Sequence, residues 1–128
     1  MIDPQLFREY DIRGRAPESL SPEVAGLVAC ALGARIRKAG GSDVVIGRDV
    51  RGSSPALADA ARKGFVSVGL DVHDLGIAPT PVVYHATYRL GAGGAMMITG
   101  SHNPPSDNGL KVCLGSASLY GDGVRSLR

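Results

Sequence analysis

Residues 43–76 read DVVIGRDVRGSSPALADAARKGFVSVGLDVHDLG, and this stretch decides the fold. Its β-branched beginning predicts a strand over 43–49. Ser54-Pro55 then opens a segment whose apolar residues recur at helical spacing to about residue 68. Residues 70–76 predict a second strand. A strand, a helix and a strand in this order predict a right-handed βαβ unit with parallel strands.

The same alternation extends on both sides of this unit. Ser21-Pro22-Glu23 has the hydroxyl cap, early proline and acidic first turn of a helix, and Thr80-Pro81 opens another helix. AMMIT, residues 95–99, is a short apolar run typical of a strand buried on both faces. The other predicted elements are helices over 22–39 and 81–90, a loop over 100–108 and a last strand over 109–114. We therefore predict an α/β fold, a three-layer α/β/α sandwich around a mainly parallel, mixed sheet.

Length and composition narrow the class of protein. The chain has 128 residues, which suits one domain, and its 14 basic and 12 acidic residues leave a net charge of only +2. We expect no nucleic-acid partner, because such binding needs clustered basic residues. The apolar run over 24–34 is too short to cross a membrane. No signal-like segment is visible, so we expect a cytoplasmic protein with no membrane partner.

Three polar segments are candidates for a functional site. Residues 99–111 and 47–54 each follow a predicted strand, and ligands of open α/β sheets bind at the carboxyl ends of strands. The third segment, residues 7–14, precedes the first predicted helix. In the 99–111 segment, Gly100 lets the backbone pass close to a ligand, and Ser101 offers a hydroxyl at a strand end.

The other polar groups of this segment are His102, Asn103, Asn108 and Lys111. A hydroxyl among amides and a lysine suits a phosphate, bound noncovalently or attached to the serine. The same composition also suits a solvated turn, and the residues alone leave both alternatives open.

A family resemblance separates these alternatives. TGSHNPPSDNGLKV (99–112) resembles the phosphoserine loop of the α-D-phosphohexomutases, the phosphoglucomutase/phosphomannomutase family. FREYDIRG (7–14) resembles the N-terminal motif of the bacterial phosphomannomutase/phosphoglucomutase branch, and GRDVRGSSP (47–55) resembles the segment between them. The chain departs from the commoner pattern at Gly100, Asp107 and Leu110, where alanine, tyrosine and phenylalanine are frequent.

The resemblance implies a role for each matching residue. Ser101 would carry the transferable phosphate, and Arg13 and Lys111 would neutralise its charge. His102 would act with them in catalysis, and it would shape the loop together with Asn103. The resemblance and the loop composition make Gly100, Asn103 and Asn108 the candidates for binding phosphate or substrate. Mg²⁺ would contact the phosphate on Ser101, although the family's aspartate-rich metal loop belongs to its second domain.

The implied reaction interconverts hexose 1-phosphate and hexose 6-phosphate, of mannose or glucose, through a hexose 1,6-bisphosphate that also acts as activator. We expect residues 1–118 to form the phosphoserine-bearing domain I, and residues 119–128 to begin a helix that leads into a second domain. The partners would be hexose phosphates and domains II–IV, and this chain alone would lack mutase activity. The alternatives are a noncatalytic phosphate-binding or scaffold module and a phosphoglucosamine mutase domain.

Several residues have structural interpretations instead. We expect Arg48 and Asp49 to form an ion pair or to support a loop, and Ser53 and Ser54 to serve as turn and cap groups. Tyr10 would pack near the site. The other structural candidates are His73 and His85 at the surface or core edge, Met96 and Met97 in a strand core, and Cys30 and Cys113 as buried thiols.

Overall fold

The predicted alternation of strands and helices is confirmed in a computed structural model that describes residues 2–128. Its elements are a 3₁₀ turn over Pro4–Leu6, β1 (Ile12–Arg15), α1 (Pro22–Lys38), β2 (Asp43–Arg48), α2 (Ser54–Ser67), β3 (Asp71–Ile77), α3 (Thr80–Leu90), β4 (Gly94–Ile98), β5 (Asp107–Leu114), β6 (Ala117–Ser118) and α4 (Asp122–Arg125).

The sheet is mixed, as predicted, and one strand accounts for the mixing. The strand order is β1-β5-β4-β2-β3, with β6 also paired to β5. β2 pairs in parallel with β3 and β4, whereas β5 is antiparallel to β1, β4 and β6. β5 therefore runs opposite to the other five strands. Its first residues lie at the same edge of the sheet as the carboxyl ends of β2 and β4.

Two layers of helix cover the sheet. Helices α1 and α2 lie on one face and close the larger core, which includes Leu32, Phe65 and Met96. α3 lies on the other face, where Val83 packs with Val45 and Met97. The predicted three-layer α/β/α sandwich is thus confirmed. α1 begins as its sequence indicates, because the Ser21 hydroxyl accepts a hydrogen bond from the Val24 N–H at 3.2 Å.

A two-residue strand, β6, follows the strand predicted to be the last, and two further features of the sheet differ from the sequence prediction. Ile12–Arg15 forms strand β1, in a segment for which no strand was predicted, and the predicted loop over 100–108 ends two residues early because β5 begins at Asp107. Both differences have one cause. Ile12 and Arg15 pair with Leu110 and Asp107, so β1 and the first residues of β5 stabilise each other although they lie nearly a hundred residues apart.

The C-terminal residues pack onto the same domain. α4 has only four residues, and Val124 and Leu127 are buried in the larger core. The Arg35 side chain on α1 donates hydrogen bonds to the Gly123 carbonyl and the Ser126 hydroxyl. Residues 119–127 therefore continue the packing of residues 2–118, and their predicted connection to a second domain stays a prediction. Within residues 2–128, none of the helices is both long enough and apolar enough to cross a membrane.

Candidate active site

The polar segments meet at one edge of the sheet because of the strand order. The residues between β4 and β5, 99–106, form what we call the serine loop, and β4 and β2 are neighbours. The residues that follow β2 therefore lie beside the serine loop. β1 pairs with the beginning of β5, which brings Arg13 opposite Gly109. All three segments singled out in the sequence thus contribute to one site.

Ser101 occupies a strained and exposed position. It is the only residue other than glycine with a positive φ among the described residues, at 54°. A side chain in this left-handed region costs on the order of 1–3 kcal/mol and persists only where its surroundings enforce it. Its N–H donates to the Thr99 hydroxyl at 2.9 Å, and the Ser101 side chain is open to solvent. The predicted nucleophile is therefore accessible, and so is His102 beside it.

Arg13 connects the serine loop with the neighbouring cluster of charges. Its Nη1 donates to the Asn103 side-chain oxygen at 3.1 Å, and its Nη2 forms an ion pair with Asp11. The Asp11 carboxylate is buried, and it also lies 3.4 Å from the Lys111 ammonium. The structure thus brings Arg13, Asn103 and Lys111 together as predicted. Sequence reasoning missed Asp11, whose position between two cations depends on the pairing of β1 with β5.

These charges line an open cavity of about 500 Å³. It lies on the sheet face that carries α3, because Lys111 shares that face of β5 with Cys113, and α3 packs over β2 and β4. Arg13 Nε is buried there without a hydrogen-bond partner among the described residues. Three cations against two carboxylates leave the lining of the cavity with a net positive charge, which suits an anionic ligand. The lining residues are Arg8, Glu9, Tyr10, Asp11, Arg13 and Lys111.

Asp49 and Arg51, which follow β2 and which we call the loop anchor, bind the serine loop from the neighbouring segment of the chain. Arg51 Nε donates to the Asp49 carboxylate at 3.1 Å. Its two terminal nitrogens donate to three serine-loop carbonyls, those of Ser101 (2.9 Å), Asn103 (2.8 Å) and Pro104 (2.6 Å), and to the carbonyl of Asp107 (3.0 Å) at the start of β5. The expected loop support by Asp49 is confirmed, but its ion partner is Arg51. Arg48 only donates to the Asp49 carbonyl, at 3.2 Å.

The Asp49 carboxylate also accepts hydrogen bonds from the serine loop and from α2. It accepts hydrogen bonds from the Thr99 hydroxyl (2.8 Å), the Gly100 N–H (3.2 Å) and the Ser54 hydroxyl. Burial by itself would raise the pKa of this carboxyl, but the hydrogen bonds outweigh burial and lower the pKa below its ordinary value. Ser53 lies in the turn at the N-cap position of α2, as expected, although its side chain makes no cap hydrogen bond. Ser54 is the first residue of the helix, and its buried hydroxyl binds Asp49 instead of capping α2.

Gly100 and Asn108, which were predicted to bind phosphate or substrate, contact other parts of the domain instead. A Cβ at Gly100 would lie 2.4 Å from Arg51 Cζ, so the close approach is to the loop anchor rather than to open ligand space. The Asn108 side chain is fully buried, and its amide donates to the Ser53 and Ser54 hydroxyls at 2.9 Å each. Asn108 therefore supports the base of the loop from inside the domain and is not placed to contact a ligand directly.

The remaining predicted residues lie where their structural interpretations place them, with two exceptions. Met96 and Met97 are buried strand residues, and His85 is exposed. Tyr10 lines the cavity but is 73% exposed, so it does not pack into the protein. Cys113 is buried as expected, whereas Cys30 is only half-buried.

Residues 2–128 contribute too few groups to hold a metal ion by themselves. The described residues contain no group of three or more His, Cys, Asp or Glu side chains placed to share a metal. The carboxylates of buried Asp11 and half-buried Asp49 are already paired with arginine or lysine. A Mg²⁺ ion at this site would need ligands other than the described side chains.

The fold and the site together define an α/β/α domain that presents a serine and two cations at the edge of a mixed sheet. A family model described as "Phosphoglucomutase/phosphomannomutase, alpha/beta/alpha domain I" matches residues 4–124. The chain therefore belongs to the phosphoglucomutase/phosphomannomutase family as its domain I, and the family resemblance is confirmed.

Individual relatives agree with this assignment. A phosphoglucomutase of Neisseria meningitidis serogroup B is 39% identical over 126 residues, covering 98% of this chain and 27% of the relative. A phosphomannomutase/phosphoglucomutase of Pseudomonas aeruginosa is 39% identical over 127 residues, with 99% and 27% covered. A crystal structure of a phosphoglucomutase/phosphomannomutase family protein from Burkholderia thailandensis superposes with a TM-score of 0.93 at 40% identity, covering 99% of this chain and 30% of that one. The chain thus spans about a quarter of the length of its curated relatives.

Proposed function

We propose that this chain is the phosphoserine-bearing domain of a mutase that interconverts hexose 1-phosphate and hexose 6-phosphate, of mannose or glucose. Phosphorylated Ser101 transfers its phosphoryl group to a free hydroxyl of the hexose monophosphate. The bond between phosphorus and Ser101 Oγ breaks as the bond to the sugar oxygen forms, and Ser101 Oγ takes up the proton that the sugar hydroxyl loses. The resulting hexose 1,6-bisphosphate returns its other phosphoryl group to Ser101, which completes the isomerisation.

The observation that carries this proposal is the position of Arg13. Its guanidinium spans from the Asn103 side chain in the serine loop to the Asp11 carboxylate beside Lys111. A phosphoryl group on Ser101 carries a charge of about −1.5 to −2 near neutral pH. Arg13 and Lys111 supply fixed positive charge for it. Phosphoryl transfer depends mainly on positioning and on such charge stabilisation.

We propose Mg²⁺ as the metal cofactor, with the phosphate on Ser101 as the only ligand from this chain. When bound, the ion neutralises charge on the transferring phosphoryl group. The remaining ligands come from outside residues 2–128, which hold no cluster suited to a metal.

We also propose that the chain alone does not isomerise sugar phosphates. Its cavity presents charged groups from one side of the molecule, and its curated relatives are about four times as long. Domains II–IV of the family pattern would supply the rest of the sugar site. A coupled mutase assay on glucose 1-phosphate and mannose 1-phosphate tests this statement, and sustained turnover by the isolated chain would contradict it.

The phosphoserine role is tested by intact mass after incubation with hexose 1,6-bisphosphate. We expect the wild-type chain to gain the mass of one phosphoryl group and Ser101→Ala to gain none. Ser106→Ala is the matched control, because Ser106 is an exposed serine of the same loop. It should be phosphorylated like the wild type. A chain that binds the bisphosphate without ever gaining mass would instead be a noncatalytic binding module.

A further inference from the structure

We propose that Arg51 is the positioning residue of the site: its guanidinium keeps Ser101 in the conformation that accepts and donates a phosphoryl group. The inference rests on the proposed phosphoserine function of Ser101 and adds a residue that does not itself contact the ligand. Its basis is the set of contacts between Arg51 and the serine loop.

Arg51 makes several hydrogen bonds, and they are spread along the serine loop. One guanidinium donates to carbonyls at residues 101, 103, 104 and 107, so it contacts both ends of the turn that carries Ser101. Arginine suits this task because its planar group holds five donors in a fixed arrangement. A lysine at the same position has one freely rotating ammonium and cannot reproduce the pattern.

The guanidinium of Arg51 is itself held in place. Asp49 binds its Nε, and the same carboxylate binds the Thr99 hydroxyl and the Gly100 N–H directly before Ser101. The side chain of Arg51 is only 15% exposed. The absence of a Cβ at Gly100 leaves the space that the guanidinium occupies. Arg51 is therefore a rigid support rather than a mobile surface side chain.

One of the Arg51 contacts lies directly at the strained backbone of Ser101. Ser101 has a φ of 54°, and its own carbonyl accepts a hydrogen bond from Arg51 at 2.9 Å. In a planar trans peptide the N–H points opposite to the C=O. The N–H of His102 therefore points away from the guanidinium. Without Arg51 the peptide between Ser101 and His102 loses the contact that fixes its orientation, and Ser101 is free to leave the left-handed region.

The test compares Arg51→Lys with the wild type in two independent measurements. The first is hydrogen exchange of the Asn103 and Asp107 amides, which donate to carbonyls within the loop. We expect exchange at least about fivefold faster in Arg51→Lys, because the loop opens locally. The control is Arg37→Lys, which removes a guanidinium–carbonyl contact at Gly69, far from the loop, and should leave these amides unchanged.

The second measurement is the rate at which Ser101 gains phosphate from hexose 1,6-bisphosphate. A positioning residue that does not contact the ligand should lower the maximal rate, here by about tenfold or more, since displacing a reacting group by about 1 Å costs up to about a hundredfold. The bisphosphate concentration that gives half the maximal rate should stay unchanged. A purely structural role would lower the fraction of active protein and leave the rate of the folded fraction intact.

The outcomes separate this proposal from the proposed function. If wild-type Ser101 never accepts phosphate, the phosphoserine function fails, while the exchange data still decide whether Arg51 holds the loop. If Ser101 accepts phosphate at the same maximal rate in Arg51→Lys, or if the loop amides exchange as in the wild type, the positioning role is refuted. Arg51→Gln, which keeps amide donors without the charge, serves if Arg51→Lys does not fold. If neither variant folds, Arg51 is a general stability residue and the proposal is contradicted.

Discussion

Replacing Asp49 with alanine removes a carboxylate that connects the end of β2 with α2 and the serine loop. The carboxylate accepts hydrogen bonds from Arg51, Ser54, Thr99 and Gly100. In Asp49→Ala these donors lose their common acceptor, and the Arg51 guanidinium loses its counterion. Breaking a buried ion pair on one side costs about 3–5 kcal/mol. Because the Asp49 side chain is 20% exposed, water replaces part of the loss, and we expect about 3 kcal/mol.

This loss is large against the stability of an ordinary domain, which is about 5–15 kcal/mol. It corresponds to a fall in the melting temperature of roughly 6–20 °C for a chain of this size. Urea unfolding followed by circular dichroism measures the free energy directly. Asp59→Ala is the control, because Asp59 is a surface carboxylate on α2 that pairs with Arg62 and Lys63 one turn away. It should leave the urea midpoint close to that of the wild type. An Asp49→Ala protein as stable as Asp59→Ala would refute the role given to this carboxylate.

Three further predictions concern acid sensitivity, helix packing and thiol reactivity. Hydrogen bonds outweigh burial and lower the pKa of Asp49 in the folded protein below its ordinary value of 3.8. The contribution of Asp49 to the free energy of unfolding is therefore full above pH 3.8, and it is lost as the pH falls through the lower pKa of the folded state. Urea unfolding from pH ~5 to pH ~2 should therefore show a smaller loss for Asp49→Asn than for the wild type, and equal losses would contradict this assignment. Gly64→Ala should destabilise the domain by about 1–2 kcal/mol, because its Cβ would lie 2.5 Å from the Gly26 carbonyl oxygen on α1 and force the two helices apart. Gly52→Ala, with no atom within 4 Å of the new Cβ, is the control, and equal urea midpoints for the two variants would argue against this packing. Burial raises the pKa of the Cys113 thiol, so an alkylating reagent near neutral pH should modify half-buried Cys30 first. Peptide mass mapping identifies the modified cysteine, and modification of Cys113 first would contradict its burial.

The sequence predicted the elements whose signals are local. Ser21 and Pro22 start α1 as their types indicate, and the run over 95–99 forms β4, with every residue of Gly94–Ile98 buried. Each of these signals lies within about twenty residues. β1 has only four residues, two of them arginines, and it exists because it pairs with β5. No local pattern indicates such a strand.

The site was predictable in its chemistry but not in its supports. The loop composition and the family resemblance together predicted Ser101, Arg13 and Lys111. Arg51 lies inside a segment that was singled out, yet its four contacts reach carbonyls about fifty residues further along the chain. Because every residue type has the same backbone carbonyl, the residues that Arg51 binds cannot be recognised from their side chains. The same reason explains Asn108, whose amide points inward to Ser53 and Ser54.

Mapping the phosphorylated residue shows whether Ser101 carries the transferable phosphate. The chain is incubated with hexose 1,6-bisphosphate, digested, and the peptides are sequenced by tandem mass spectrometry. We expect a single phosphate on Ser101, with Ser53, Ser54 and Ser106 unmodified. A phosphate on one of those serines instead, or none on Ser101 under conditions that leave the chain folded, would contradict it.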